Sequence, residues 1–386
     1  MSDKRLRVDL EPFRRRYWVS NRQGKSKLLS ELVDLYGYNR KYLIQAMNDI
    51  EEKVPKKRGK RRRYGDDVIE PLKRIWLATD QMCSKRLKAA MVLWLPYYDG
   101  ALSERVRKQL LKLSAASIDR LLKPYRVQYK RHGLCGTKPG YLLKNQIPIK
   151  TDNWDVCQPG FVEADTVAHC GNSMSGDFVW SLTLTDIATG WTENGATWNK
   201  GSEGVIEQIK VIEKRLPFGL KGFDCDNGSE FLNWHLVRYF TEEKTPTVAM
   251  TRSRPYKKND NAHVEQKNWS HVRHLLGYDR FDNPQAVPLI NALYANEWSL
   301  YQNFFMPSQK LKSKERINSK YRKRYEPAKT AYQRIMEAET VADETKQRLS
   351  TLFSELNPFA LRKGIEQKLK HIFRYVKINK KPRTKL

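Results

Sequence analysis

Near residue 160 the period of the chain changes, and that change limits the possible folds more than any other feature. GFVEADTVAH, DFVWSLTLTD and GWTENGATW are short runs rich in β-branched and aromatic residues, separated by Gly, Asn and Asp turns. Such runs predict three consecutive antiparallel strands. Helical spacing follows in GSEGVIEQIKVIEKRL (201–216), where Val205, Ile206, Ile209 and Ile212 share a side. KGFDCD reads as a strand, SEFLNWHLVRYF (229–240) as a helix and TPTVAM as a strand. A basic loop, TRSRPYKKND, leads into NAHVEQKNWSHVRHLLGY, a long helix. The expected order βββαβαβα makes a mixed sheet with helices on its faces.

The flanks read differently. Residues 1–24 are basic and lack clear periodicity. From Ser26, the residues Leu28, Leu29, Leu32, Val33, Leu35 and Tyr36 form one helical face, Gly37 breaks it, Asn39 is a cap, and Tyr42, Leu43 and Met47 begin a second face. This resembles a helix-turn-helix over 1–55, a pattern that any helical hairpin shares. Arg40 and Lys41 open its second helix and are candidate DNA contacts. KKRGKRRR (56–63) has seven basic residues in eight, within an expected linker at 56–65. Arg61, Arg62 and Arg63 could lie along phosphates there, or the run could simply be solvated. Residues 66–125 read as a second helical, helix-turn-helix-type domain, its last helix capped by Ser114 and carrying Arg120. A Gly- and Pro-containing linker is expected at 126–159, the mixed-sheet core at 160–285, and a basic helical region at 286–386.

The chain of 386 residues has 72 Lys+Arg against 43 Asp+Glu, a net +29. Residues 151–285 hold 19 acidic and 14 basic residues, a net of −5, which leaves +34 on the flanks. An acidic centre between basic arms suits cations at a site held on nucleic acid. The 10 Trp and 19 Tyr can fill a core, which excludes a wholly disordered chain. No run approaches the ~18 apolar residues of a membrane span. The five cysteines are few and scattered, as for free thiols in a reducing, cytoplasmic setting.

Three carboxylates stand where the strand order would gather them: Asp165 in the first strand, Asp226 at the end of the fourth, and Glu265 in the first turn of the long helix. Converging carboxylates need cations between them, and hard oxygen ligands suit Mg²⁺ or Mn²⁺. Two such ions would support in-line phosphoryl transfer. Glu163 and Asp224 share faces with Asp165 and Asp226, as accessory ligands or as partly exposed strand acids. Asp186 reads as a structural turn residue, His169 as structural or DNA-contacting, and Cys225 as a buried strand residue. Asn261 or Asp260 would cap the helix of Glu265.

At these residues the sequence resembles the RNase H-like D,D-E superfamily of retroviral-type integrases and insertion-sequence transposases. The resemblance covers roughly 155–285 and rests on the Asp165 strand, LTDIATGW (184–191), DNGSEF (226–231) and SRPYKKNDNAHVEQKN (253–268). It implies that Asp165, Asp226 and Glu265 are the metal-binding catalytic triad, and it places Arg252, Arg254, Tyr256, Lys257 and Lys258 in a loop beside DNA. Lys267, on the same helix as Glu265, is a further candidate for phosphate. The 38 residues between the last two acids slightly exceed the commonest pattern. The layout of flanks is most similar to a bacterial insertion-sequence transposase: an α/β RNase H-like core between all-α DNA-binding regions. The implied activity is metal-dependent nicking at element ends and transfer of the 3′-OH into target DNA. The alternatives are a nuclease without strand transfer and a non-catalytic DNA-binding regulator. The expected partners are double-stranded DNA, both terminal inverted repeats and target, and a second copy or more of the chain, with no membrane. No G-x-x-x-x-G-K-S/T phosphate loop occurs, so no nucleotide cofactor is expected. The two-His, two-Cys zinc module of retroviral integrases is also missing, since the first histidine is His132.

Overall fold

The computed structural model describes residues 10–48, 63–128, 158–225, 231, 234–252 and 262–376. The chain divides into two compact units, Met1–Arg63 and Tyr64–Leu386.

The first unit holds α1 (Glu11–Val19), α2 (Arg22–Tyr36) and α3 (Arg40–Asn48). Gly37 ends α2 in the left-handed region at φ 66°, a conformation that costs glycine little. The Asn39 side chain accepts the Lys41 N–H at 2.9 Å and so starts α3. Leu28, Leu29, Leu32, Leu43 and Met47 form the small core, together with Tyr17 of α1. The stretch without visible periodicity is therefore partly helical. It is tied to α3 by Arg14 Nε on the Ala46 carbonyl and Trp18 Nε1 on the Met47 carbonyl. These donors satisfy carbonyls at the end of α3 that have no partner within the helix.

The second unit opens with α4 (Asp66–Ala78), α5 (Ser84–Trp94), α6 (Glu104–Lys112) and α7 (Ala115–Gln128). Then follow β1 (Phe161–Ala168), β2 (Val179–Asp186), β3 (Thr192–Trp198), α8 (Ser202–Glu213), β4 (Gly222–Cys225), α9 (Trp234–Thr241), β5 (Ala249–Arg252) and α10 (Ala262–Lys267). The sheet order is β3-β2-β1-β4-β5. β1, β2 and β3 run antiparallel, while β4 and β5 are parallel to β1. This is the RNase H-like arrangement. The helix of Glu265 continues through a π-helical segment, Asn268–Arg273, into α11 (His274–Leu276).

After the sheet come α12 (Ala286–Leu293), a second π-helical segment (Tyr294–Trp298) and α13 (Ser299–Phe305). They cover the outer edge of β3 in an instructive way. Asn303 accepts the Thr192 N–H and donates to the Thr192 carbonyl, both at 2.9 Å. Asn291 does the same for Ala196, at 2.6 and 2.9 Å. Between them, Arg215 donates to the Asn194 carbonyl at 2.8 Å. An edge strand with open backbone groups invites pairing with another chain; here side chains occupy every second residue. The four helices α4–α7 share one hydrophobic core with the sheet and α13. Trp94 Nε1 bonds the Phe305 carbonyl and the Tyr301 hydroxyl bonds the Ala78 carbonyl.

The C-terminal flank corrects one expectation. It is not all helical: Leu311–Ile317 (β6) and Lys320–Tyr325 (β7) form an antiparallel hairpin. Ile317, Tyr321 and Tyr325 stand at helical spacing, but as β-branched and aromatic residues they also favour extended backbone, and a tight turn at Asn318 breaks the run between them. Asn318 takes φ 55° in a two-residue turn between the paired Ile317 and Lys320. The helices α14 (Ala331–Glu337), α15 (Asp343–Glu355) and α16 (Pro358–Ile372) follow. Among the described residues, no helix is long and apolar enough to cross a membrane.

Candidate active site

Strand alternation sends Glu163 and Asp165 to the same face of β1, and the helix of Glu265 lies on that face. Glu163 is buried, and its Oε2 accepts the Val264 N–H of α10 at 2.9 Å. Asp165 is half-buried. Its Oδ1 accepts the Thr166 N–H at 2.7 Å and its Oδ2 accepts the Asn268 amide at 2.6 Å. The helix is thus pinned to β1 one residue before Glu265 and again three residues after it. Glu265 itself is exposed. Glu163 is therefore not a partly exposed strand acid; its buried carboxylate anchors the start of the helix, where a carboxylate meets unsatisfied N–H groups.

The donor set is oxygen only. The other atom of the Asn268 amide, Oδ1, is buried without a hydrogen-bond partner. A buried carbonyl oxygen next to a carboxylate calls for a cation or an ordered water. Asp165 and Glu265 thus offer the hard oxygen ligands that a divalent cation takes, with Asn268 orienting Asp165 from behind and its Oδ1 left for an ordered water. β4 ends at Cys225, which pairs with Ala164 beside Asp165. Asp226 comes next and lies outside the described residues, as do Arg61, Arg62, Arg254, Tyr256, Lys257 and Lys258. Among the described residues, no three of His, Cys, Asp or Glu gather as a metal cluster.

The neighbours have structural partners. Asp224 accepts the Thr251 hydroxyl of β5 at 2.8 Å. Asp186 is buried and accepts the Gly160 N–H, the Thr189 N–H and the Thr189 hydroxyl. Burial pushes its carboxyl up from the usual range, against those hydrogen bonds. His169 is fully buried with Nε2 2.8 Å from Ser181 Oγ, which in turn meets the Tyr294 hydroxyl. Lys267 turns away from Glu265, and its ammonium sits on the Gly190 carbonyl at 3.2 Å. Burial, with Arg86 and Arg334 nearby, lowers that ammonium to about 7.

The remaining candidate DNA contacts are spread over both units. Arg40 is exposed and holds Ser26 Oγ and Ser30 Oγ of α2 at 2.9 Å each. Lys41 and Arg63 are exposed, and Arg120 is exposed on α7. Arg252 is the last residue of β5. Sequence reading did not single out Asn268. The available signal was its position three residues after Glu265, on the same side of one helix.

Strand order and register define an RNase H-like domain. The chain is 40% identical over 322 residues, 81% of this chain and 89% of the other, to "Uncharacterized protein y4rM" of Sinorhizobium fredii (strain NBRC 101917 / NGR234), and it belongs to that family. No protein-family model matches. Among solved structures, the simian T-cell lymphotropic virus intasome with PP2A regulatory subunit B56 gamma matches at TM-score 0.31 and 16% identity, over 50% of this chain and 63% of that chain, so just under two thirds of it is spanned. The HTLV-2 integrase catalytic core domain in complex with magnesium matches at 0.28 and 14%, over 39% and 91%. The BIV integrase catalytic core domain matches at 0.29 and 14%, over 45% and 91%. At these scores it is the strand order, not the superposition, that defines the fold.

Proposed function

We propose that the chain is a Mg²⁺- or Mn²⁺-dependent D,D-E transposase that nicks the ends of a DNA element and joins the freed 3′-OH to target DNA. The observation that carries this reading is the double pinning of the Glu265 helix to β1 on either side of Glu265, with Asp165 held by Asn268. Asp165 and Glu265, joined by Asp226 as the resemblance supplies it, would hold the ions. Bound there, a divalent pair supplies Lewis-acid activation of the attacking oxygen and stabilisation of the leaving one. The chain's own part is placement. Asn268 fixes the rotamer of Asp165, Glu163 fixes the start of the helix, and the buried β1–β4 pairing keeps the site rigid. Inverted-repeat recognition belongs in this reading to the N-terminal helices, with Arg40, Lys41 and Arg120 on DNA. A second subunit would bring in the other end.

The test uses labelled end DNA, a target plasmid and Mg²⁺ with the full chain. Nicking and joint products are expected with the wild type, and neither with Asp165→Asn or Glu265→Gln, both of which should keep end-DNA binding. Nicking without joint molecules would move the assignment to a nuclease. Full activity in EDTA, or in Glu265→Gln, would overturn it.

A further inference from the structure

The hairpin of β6 and β7 is densely basic and exposed. Residues 311–325 carry seven Lys or Arg and a single acid, Glu315. Lys312, Arg316, Arg322, Lys323 and Arg324 are exposed, as are Tyr321 at 54% and Tyr325 at 49%. Pairing puts Arg316 opposite Tyr321, Glu315 opposite Arg322 and Ser313 opposite Arg324. Alternation therefore gives Arg322 and Arg324 one face of the ribbon, and Arg316, Tyr321 and Lys323 the other. Both faces are cationic.

The base of the ribbon is fastened to the catalytic sheet. Ser308 and Lys329 bond each other's backbone across the stem, and the Glu326 N–H meets the Lys310 carbonyl. Arg334 is buried and donates to the Ser308, Lys329 and Thr189 carbonyls. Lys310 Nζ donates to the Ala188 carbonyl at 2.7 Å. With Lys267 on Gly190, three consecutive carbonyls of the β2–β3 turn are each held by a cation from another element. The stem of the ribbon is thus tied by side chains to the turn between β2 and β3, beside the strands of the candidate site.

From this we infer that the β6–β7 ribbon is a DNA-binding arm that takes duplex DNA of any sequence. The inference rests on the reading that the chain works on DNA. A surface lying flat on a polyanion needs one basic face. A ribbon seated between two phosphate walls needs two, and a two-stranded ribbon fits the ~12 Å major groove. At ~3.3 Å per residue its strands reach about 20 Å, enough to cross that groove. The exposed side chains are mostly cations and tyrosines, which favour backbone contact and stacking over base readout. Binding through them is therefore salt-dependent and indifferent to sequence.

The test compares the full chain with Arg316→Gln/Arg322→Gln/Lys323→Gln/Arg324→Gln and with the charge-keeping Arg316→Lys/Arg322→Lys/Arg324→Lys, using a random-sequence duplex between about 50 and 200 mM salt. The neutralised variant should lose at least about tenfold in affinity, and its log K against log salt slope should shrink by about 2 to 4. The Lys variant should bind like the wild type, and all three should melt together because the changed residues are exposed. Wild-type affinity in the neutralised variant would overturn the arm while leaving the DNA reading intact. A loss confined to duplex RNA of the same length would reassign the surface and overturn the proposal. A wild type that binds no duplex DNA would remove both readings.

Discussion

The Glu163 carboxylate accepts the Val264 N–H at 2.9 Å, so a buried acid on the first strand sets where the helix bearing Glu265 begins. Removing it should loosen that start before it disturbs the rest of the fold. Glu163→Ala leaves a buried N–H short of its acceptor and should cost about 1–3 kcal/mol, with faster hydrogen exchange at the Val264 amide. Glu163→Gln keeps an acceptor oxygen and gives up only the charge at the helix start, so it should stay within about 1 kcal/mol of the wild type. Denaturant midpoints and amide exchange measure both. An Ala variant with unchanged exchange at Val264 would show that the helix start is held by something else.

Asn268 donates to Asp165 at 2.6 Å, so in the proposed reaction its loss should reach the rate and spare binding. Outer residues that orient metal-ligating groups typically contribute 10- to 100-fold. Asn268→Ala and Asn268→Leu should both slow end nicking by about that factor, with end-DNA affinity unchanged. Single-turnover nicking and a filter-binding isotherm on the same preparations separate the two effects. A matching fall in affinity would mean that Asn268 touches DNA instead.

Much of this architecture is legible in the sequence because the central strands alternate and are bounded by turn residues. The order of strands and helices from β1 to α10 follows from periodicity alone. Asp165 and Glu265 fall where the expected strand and helix put them. What escapes periodicity is partner choice. By sequence Glu163 is an accessory ligand or a partly exposed strand acid, and only the packing of α10 against β1 shows that it is buried and holds the helix start. Lys267 is two residues from Glu265 on a helix, which puts it on the far side, toward the Gly190 carbonyl rather than toward substrate. The ribbon at 311–325 was hidden because density of charge says nothing about backbone shape. Helix α1 was hidden because its contacts, Arg14 and Trp18 on carbonyls of α3, come from residues that no apolar pattern marks.

The two asparagines on the edge of β3 should matter for solubility as well as stability. Asn303→Leu strips partners from the N–H and carbonyl of Thr192, and Asn291→Leu does so for Ala196. Each unmade buried bond costs roughly 1–3 kcal/mol, so either substitution should cost about 2–4 kcal/mol. The double variant should also open an edge for pairing between chains. Thermal melts and light scattering at several protein concentrations test this. Melting points near wild type with no rise in scattering would show the edge to be tolerant.

Acid should unfold the second unit partly through His169. Burial first, and the charge of Arg273 second, hold this imidazole down at about 3 against an ordinary value of 6.5. The unfolded chain takes up the proton near pH 6.5, whereas the folded chain refuses it until about pH 3. Stability from this residue is therefore fully present above about pH 6.5 and is lost as pH falls through that window, at up to about 1.4 kcal/mol per pH unit. His271 is shifted the same way, while the raised carboxyls of Asp186 and Glu193 act in the opposite sense, so the wild-type slope is a sum. The difference between the wild type and His169→Gln isolates one member of that sum, since Gln can still reach Ser181 Oγ but does not titrate. Between pH 7 and pH 5 the wild type should lose about 2 kcal/mol more than His169→Gln in urea unfolding. The variant is expected to start lower, because the ring also packs edge-on against Phe281 at 5.3 Å, so the readout is the slope and not the midpoint at one pH. Parallel curves for the two proteins would mean that the buried imidazole is protonated in the folded state after all, with its proton on the side of Nδ1, which has no hydrogen-bond partner among the described residues.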